Sequence, residues 1–528
     1  MKQCCATYWR IGPGPSLTLV NDDARFMFHV CRMLNPSFLN GETWGMPGAN
    51  VEHIETHAAH VLLVGGRAYK IKKDVKLPYL DFSAVEQRRA VIADEYEINH
   101  AFAPSIYIGT TEKLGEPVLV MHRFAARAML SWQLDHGRIG PDLARALAAM
   151  AAASHDIAPR RDTPGAGIMM GLGLQLSRAF TSSPDLFRAA DTLEFHGLYE
   201  DGLKRLKHLL NARGEQGLVR RCHGDMHAAN IVVFDGRPTL FDAIEFSEKI
   251  ATIDVLYDLA FLIMDLMQHG QVPAANAVLN HYLNLRRGTE DMSGLAALPL
   301  FLSTRAGVRA LVTADLVHEL KVEASLKPRG DALDFFRASL GFLKPPPPVL
   351  VCIGGLSGTG KSTLGGALAP GLGPPPGAVH IRSDVERKAL AGVAETEPLP
   401  PEHYTPDESA RTYDTMLARA GQALKAGHAV ILDAVFARAG ERLLARNLAR
   451  ETGAGFAGLW LEARPAILKS RVLTRRNDAS DATAEVIDKQ LGYRIGDLDW
   501  QRVDASGSPE ETLTLVKQRL PWPPAARA

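Results

Sequence analysis

Val349-Leu350-Val351-Cys352-Ile353-Gly354-Gly355-Leu356-Ser357-Gly358-Thr359-Gly360-Lys361-Ser362-Thr363 decides how the last third of the chain folds. The apolar run Val349–Ile353 suits a buried parallel strand. Gly355–Ser362 then satisfies G-x-x-x-x-G-K-[ST]. In such a loop the glycines let the backbone curl, so that its N–H groups point inward at phosphate oxygens. A helix opening at the end of the motif adds the positive end of its dipole. Gly355, Ser357, Gly358, Thr359, Gly360, Lys361, Ser362 and Thr363 are therefore candidate ATP-binding positions. Lys361 is expected to reach the β- and γ-phosphates, and the Ser362 hydroxyl to ligate Mg²⁺.

The strands expected downstream each end in chemistry. Val379-His380-Ile381-Arg382-Ser383 leads into Asp384-Val385-Glu386-Arg387, and ligands of open α/β sheets sit at the carboxyl ends of strands. Asp384 can accept the proton of an attacking hydroxyl while Arg387 orients that substrate; its competing role is to cap the following helix. Ala429–Leu432 ends in Asp433, where a carboxylate would hold Mg²⁺ or its water. Phe456–Leu461 is a fourth strand and Trp500–Asp504 a last one, followed by a helix whose capping box starts at Ser508. Arg471 and Arg475 lie four apart on a helical pattern over Leu468–Arg476 and share one face. They can serve a mobile lid that neutralises a transferring phosphoryl group, or simply a solvated basic face.

From Val349 to about Leu520 these residues resemble the small-molecule and polynucleotide 5′-hydroxyl kinase branch of P-loop proteins, whose relatives include gluconate-kinase-like enzymes, zeta-toxin-like kinases and chloramphenicol phosphotransferases. The resemblance implies that Asp384 and Arg387 are base and substrate arginine, and that Arg471 and Arg475 form the lid.

Upstream, Lys344-Pro345-Pro346-Pro347-Pro348 breaks the helix suggested by Leu333–Phe342 and favours a stiff extended linker. The 528 residues exceed what one core usually supports. The expected division is a poorly specified leader at 1–45, a domain at 46–343, a linker at 344–348 and a second domain at 349–528. Within 46–343, His60–Val64, Gly65-Gly66 and Ala68–Lys72 read as a hairpin, and Phe82–Phe102 as a helix. Leu143–Ala153 and Ala274–Arg286 read as helices, with strands near Ile231–Phe234 and Thr239–Phe241. The pattern is a small sheet-bearing lobe followed by a larger helical lobe.

Cys222-His223-Gly224-Asp225-Met226-His227-Ala228-Ala229-Asn230 is the second chemical signal. Phosphoryl transfer needs a carboxylate at the acceptor hydroxyl and ligands for a phosphate-bridging metal. Asp225 fits the first role and Asn230 the second. His223 reads as a brace for the loop, His227 as exposed and idle, and Asp254 and Asp258 as ion pairs or helix caps. The stretch resembles the H-G-D-x-x-x-x-N loop of aminoglycoside-phosphotransferase-like kinases. That resemblance implies that Asp242, twelve residues after Asn230, is a second Mg²⁺ ligand; it also implies a bilobal kinase-like fold with an ATP-gripping lysine on a strand and a glutamate partner on a helix. Lys70 and Lys72 share a strand face because the side-chain period is two; the Tyr-x-Ile-Lys pattern favours Lys72. Glu95 is the expected partner, ahead of Glu97.

The fold class expected is therefore α+β, bilobal and kinase-like, followed by a P-loop α/β domain with a parallel sheet. The two-part layout is similar to an uncharacterised bacterial group that fuses such domains, which implies a bacterial, cytoplasmic protein. The function expected is ATP- and Mg²⁺-dependent transfer of the γ-phosphoryl group to hydroxyls of small molecules at two sites. The alternative makes the N-terminal domain a ligand-sensing module that controls a C-terminal kinase or ATPase. Lys plus Arg and Asp plus Glu both number 59, so no overall field draws nucleic acid to the protein. The five cysteines form no C-x-x-C pair, which suits reduced thiols. Apolar runs such as Val255–Met267 are too short to span a membrane.

Overall fold

The computed structural model describes residues 34–56, 58–77, 80–319, 322–474 and 478–520. Arg475, Cys4, Cys5, Cys31 and most of the expected leader lie outside them.

The small lobe is a five-stranded antiparallel sheet in the order Val51–Glu55, Ala59–Val64, Arg67–Lys72, Glu116–His122, Tyr107–Lys113. The hairpin closes at Gly65-Gly66, with Gly65 at φ +54°, a left-handed conformation that costs glycine little. Helix Val85–Phe102 lies against the sheet through buried Ile92. The leader boundary at residue 45 is corrected here. Phe38 and Trp44 are buried with Leu62, Val64 and Ile71, and the Trp44 ring stacks on Tyr69 at 4.1 Å. Residues 34–45 thus belong to this lobe, because two aromatic rings gain more from burial than from water.

The helical lobe centres on Val255–Gln268, which is apolar almost all round and buried accordingly. Ile231–Phe234 pairs antiparallel with Arg237–Leu240, close to the expected strands. The stretch Thr289–Val317 is long and apolar enough to cross a membrane, with a mean hydropathy of 1.4. Of its apolar eighteen-residue window 72% is buried in the core, and the helix Leu298–Glu319 carries Arg305 stacked on Tyr257 at 3.9 Å.

The C-terminal domain has a five-stranded parallel sheet in the order Val379–Arg382, Val430–Asp433, Val349–Gly355, Gly455–Glu462, Gln501–Asp504. The helix Pro509–Arg519 starts with the expected capping box of Ser508 and Glu511. Alternation along the central strand divides its side chains between two cores. Val349, Val351 and Ile353 meet the helix Lys361–Leu368 side with Leu364 and Leu368. Leu350 and Cys352 join a cluster that continues through Val379, Ile381 and Met416 into Leu279, Leu283 and Met292 of the helical lobe. One apolar core therefore runs across the proline boundary.

Candidate functional site

In the N-terminal domain the strand Arg67–Lys72 and the helix Val85–Phe102 bring a charge cluster together. Lys70 Nζ lies 2.6 Å from Glu95 Oε1 and 2.9 Å from Asp242 Oδ1. Lys72 Nζ lies 2.8 Å from Glu95 Oε2 and 2.6 Å from Glu245 Oε1. Burial alone would raise the Glu95 pKa, but Lys70 and Lys72 outweigh it and bring it down to about 2. Burial likewise disfavours charged Lys70, yet Asp242, Glu95 and Glu245 hold its pKa well above the ordinary value. Both lysines reach Glu95, but only Lys70 touches Asp242, whereas Lys72 is 3% exposed and turned to Glu245. Glu97 is exposed and takes no part. Three carboxylates face two ammonium groups, and Asp242, the most exposed of the five, can therefore serve a cation.

Asp242 adopts φ +62°, a strained conformation for a residue with a Cβ, of the kind stored at functional sites. Tyr107 Oη accepts from its amide at 3.0 Å, and Asn99 Oδ1 accepts from the Ala243 amide at 2.7 Å. The helix that presents Glu95 thus also pins the turn carrying Asp242.

The loop from His223 to Asn230 is buried except at the half-buried Ala229. His223 Nδ1 accepts from the Asp225 amide at 3.3 Å, and its Nε2 lies 3.0 Å from the Phe241 carbonyl, the bracing role expected. Asn230 Nδ2 donates to Asp225 Oδ2 at 2.8 Å, which leaves the Asn230 amide oxygen as the atom a metal would take. The exposed, idle His227 is a further correction: it is buried, with Nε2 3.3 Å from Asp225 Oδ2. Burial pushes the Asp225 pKa up, but His227, His223 and Arg305 outweigh it and hold it well below the carboxylate range. Asp225 is therefore ionised at neutral pH, suited to orienting a hydroxyl more than to capturing its proton early. Asp254 does cap Val255–Gln268 and pairs with Arg213 at 2.7 Å. Asp258 accepts from the Gly224 amide at 3.1 Å and Asp265 from the Ala228 amide at 2.8 Å. Sequence reasoning missed this anchoring pair; the signal was two acids seven residues apart, on one face of an apolar helix.

In the C-terminal domain the phosphate loop lines a cavity of about 970 Å³ together with Asp384, Arg387, Asp433 and Arg471. Gly358 (φ +83°) and Gly360 (φ +88°) occupy left-handed backbone. A Cβ on Gly358 would stand 2.7 Å from the Leu468 carbonyl oxygen. Ser362 Oγ donates to Asp433 Oδ2 at 2.6 Å. Hydroxyl and carboxylate oxygens are the hard donors Mg²⁺ prefers, so these two residues fit that ion. Lys361 Nζ donates to the Leu356 carbonyl at 3.0 Å. The Gln490 side-chain oxygen accepts from the Ser357 amide at 2.8 Å, a contact the sequence did not signal.

The two carboxylates are driven apart. Burial raises the Asp433 pKa, but His380, Lys361 and Arg382 bring it down to about 2. Burial and the Asp433 charge raise that of Asp384, against Arg382 and Lys361. Such divergence separates a metal ligand from a proton acceptor. Asp384 lies in the first turn of the helix Ser383–Leu390, while the N-cap position is Arg382. Arg387 donates to the His403 carbonyl at 2.7 Å and lies over the Tyr404 ring at 4.9 Å. Arg471 donates to the carbonyls of Ala505 at 2.8 Å and Gly507 at 2.7 Å, so in this conformation it braces the segment after the last strand.

Fold and sites together define a class: a kinase-like phosphotransferase domain followed by a P-loop kinase-type domain. A phosphotransferase enzyme family model matches residues 88–298 and an AAA-domain model residues 350–494. Uncharacterized proteins of Mycobacterium tuberculosis and Mycobacterium bovis are 30% identical over 484 residues, covering 87% of this chain and 93% of theirs. The chain belongs to the family of these proteins. A choline/ethanolamine kinase family protein from Mesorhizobium loti is similar at 15% identity, covering 56% of this chain and 93% of that one, with a TM-score of 0.36. A gluconokinase from Sinorhizobium meliloti is similar at 23% identity, covering 32% and 88%, with a TM-score of 0.23.

Proposed function

We propose that the protein transfers the γ-phosphoryl group of ATP to hydroxyl groups of small molecules at two sites, in the cytoplasm. The observation that carries this reading is the Ser362–Asp433 contact at 2.6 Å in a cavity also lined by Asp384. A nucleotide-binding device and a carboxylate with a raised pKa then face the same space. In the C-terminal site Lys361 and the loop amides bind the terminal phosphates. Asp384 receives the acceptor's proton as its oxygen bonds to phosphorus and the bond to ADP breaks. Arg387 orients the acceptor, and Arg471, which lines the cavity, offsets charge on the transferred phosphoryl group. In the N-terminal site Lys70, held by Glu95, takes the phosphates, Asp225 orients the hydroxyl, and Asn230 and Asp242 are the metal ligands. Bound Mg²⁺ neutralises phosphate charge at both.

The test is a metabolite-library phosphorylation screen with intact protein, Asp225→Ala and Asp384→Ala. Each substitution is expected to abolish a different product; retention of every wild-type product by both variants defeats the roles given to Asp225 and Asp384. A second reading keeps the N-terminal domain as a ligand-sensing module governing the C-terminal kinase. It is favoured by the contact of helix Val272–Leu285 with the strand leading to Asp384. Under that reading Asp225→Ala loses no product.

A further inference from the structure

The strand Val379–Arg382 is an edge strand, and an edge leaves every second backbone N–H and C=O without a neighbour. Its inner side is used: the Val379 amide donates to the Ala429 carbonyl at 2.8 Å. Its outer side meets the helical lobe of the other domain. Asn280 Nδ2 donates to the Ala378 carbonyl at 3.2 Å, and Asn280 Oδ1 accepts from the His380 amide at 2.7 Å. One carboxamide thus supplies both halves of a strand rung. Only one orientation of the amide satisfies both bonds. Asn276, buried one helical turn earlier, adds a second donor to Ala378 O at 3.0 Å and steadies Asn280 through its own Oδ1 at 3.1 Å.

The helix Ser383–Leu390 that follows this strand is held from the same side. Glu386, two residues after Asp384, is buried; Arg287 donates to its Oε2 at 2.8 Å, and Arg419 donates to its other oxygen. Arg419 also donates to the Leu283 carbonyl at 3.0 Å, which closes the bracket on the helix Val272–Leu285. Both ends of the short segment bearing Asp384 are therefore fixed by groups from the N-terminal domain, directly or through Arg419. The P-loop strand Val349–Gly355 lies two strands further in and receives none of these bonds.

We infer that Asn280 and Arg287 are positioning residues of the C-terminal phosphotransfer site, acting through the His380 amide and Glu386 to set Asp384, so that this site is complete only with the N-terminal domain attached. The inference rests on the reading of Asp384 as the acceptor-side base. Displacing a catalytic group by an ångström can cost up to about a hundredfold in rate, whereas nucleotide affinity depends on a loop these residues do not touch.

The experiment uses the full chain carrying Asp225→Asn, so that turnover reports the C-terminal site, with Asn280→Leu, Arg287→Ala and Arg287→Lys added singly. Three quantities are measured: MgATP hydrolysis with water as acceptor, MgADP affinity by calorimetry, and amide hydrogen exchange of residues 379–390 against 349–355. Asn280→Leu and Arg287→Ala are each expected to lower kcat about tenfold or more. The KM for ATP and the MgADP affinity should stay within about twofold, exchange should quicken only in 379–390, and Arg287→Lys should retain most of the rate. Unchanged kcat in both variants overturns the inference, as does a matching loss of nucleotide affinity with exchange quickened throughout the sheet. If the parent protein neither binds MgADP nor hydrolyses MgATP, it is the phosphotransfer reading that fails. The exchange comparison still decides the rest: unchanged protection of 379–390 in Asn280→Leu removes the positioning contact itself.

Discussion

Replacing each strand lysine of the N-terminal site by methionine separates their roles. Lys72 is enclosed between Glu95 and Glu245, and its side chain is 3% exposed. Lys72→Met leaves Glu95 to Lys70 but strands Glu245, whose side chain is only 11% exposed, and breaking a buried pair this way costs about 3–5 kcal/mol. At roughly 2 °C per kcal/mol for a domain of this size, the melting temperature should fall by about 6–10 °C. Lys70→Met leaves Glu95 paired with Lys72, and the other carboxylate it frees, Asp242, is 40% exposed. Solvent screening there limits the loss to about 1 kcal/mol. The nucleotide should respond in the opposite order. A charge-assisted bond to phosphate is worth about 1.5–3 kcal/mol, so Lys70→Met should weaken MgATP binding at this site roughly tenfold to a hundredfold. The assay pairs thermal unfolding with calorimetric MgATP titration, using Lys361→Ala as background to silence the other site. If Lys72→Met loses nucleotide at unchanged stability while Lys70→Met keeps it, the assignment of Lys70 is wrong.

Ser362→Ala should reduce nucleotide affinity at the C-terminal site in the presence of Mg²⁺ but leave it almost unchanged in EDTA, as read by calorimetry. Gly358→Ala places a Cβ against the Leu468 carbonyl on left-handed backbone; it should cost about 1–2 kcal/mol in stability and nucleotide binding with it, both measurable in one ligand-dependent melting series. Glu95, with its pKa lowered to about 2, contributes stability that is fully present above its unfolded value near 4.5 and is lost as pH falls from there to about 2. Urea titrations across that window should show a shallower pH slope for Glu95→Gln than for wild type; an identical slope refutes the pairing.

The parts of the molecule legible in the sequence are those in which chemistry dictates spacing. A loop that wraps phosphates must be glycine-rich and end in Lys361-Ser362, and a strand tip beside it must carry Asp433. Asp225 and Asn230 could be read the same way, since one short loop presents both. Lys70 and Lys72 could not be separated, because a period of two puts them on one face. What distinguishes them is that Lys72 falls beyond the segment paired with Glu116–His122. His227 looked exposed because nothing local covers it; its cover is Phe261, 5.1 Å away on a distant helix. Asn276 and Asn280 read as an ordinary polar helix face, since an edge strand about a hundred residues away leaves no mark on that helix's periodicity.

The apolar cluster that passes from the parallel sheet into the helical lobe makes the four prolines a seam in the chain without a seam in the packing. A protease that nicked the chain at Pro345–Pro348 would yield two fragments that stay together under native conditions and part only in denaturant. A gene cut at the same point would yield two polypeptides each with an oily flank, prone to clump unless made side by side. In lineages that carry this protein, the two halves are expected to be inherited as one gene or as neighbours, and seldom traded singly.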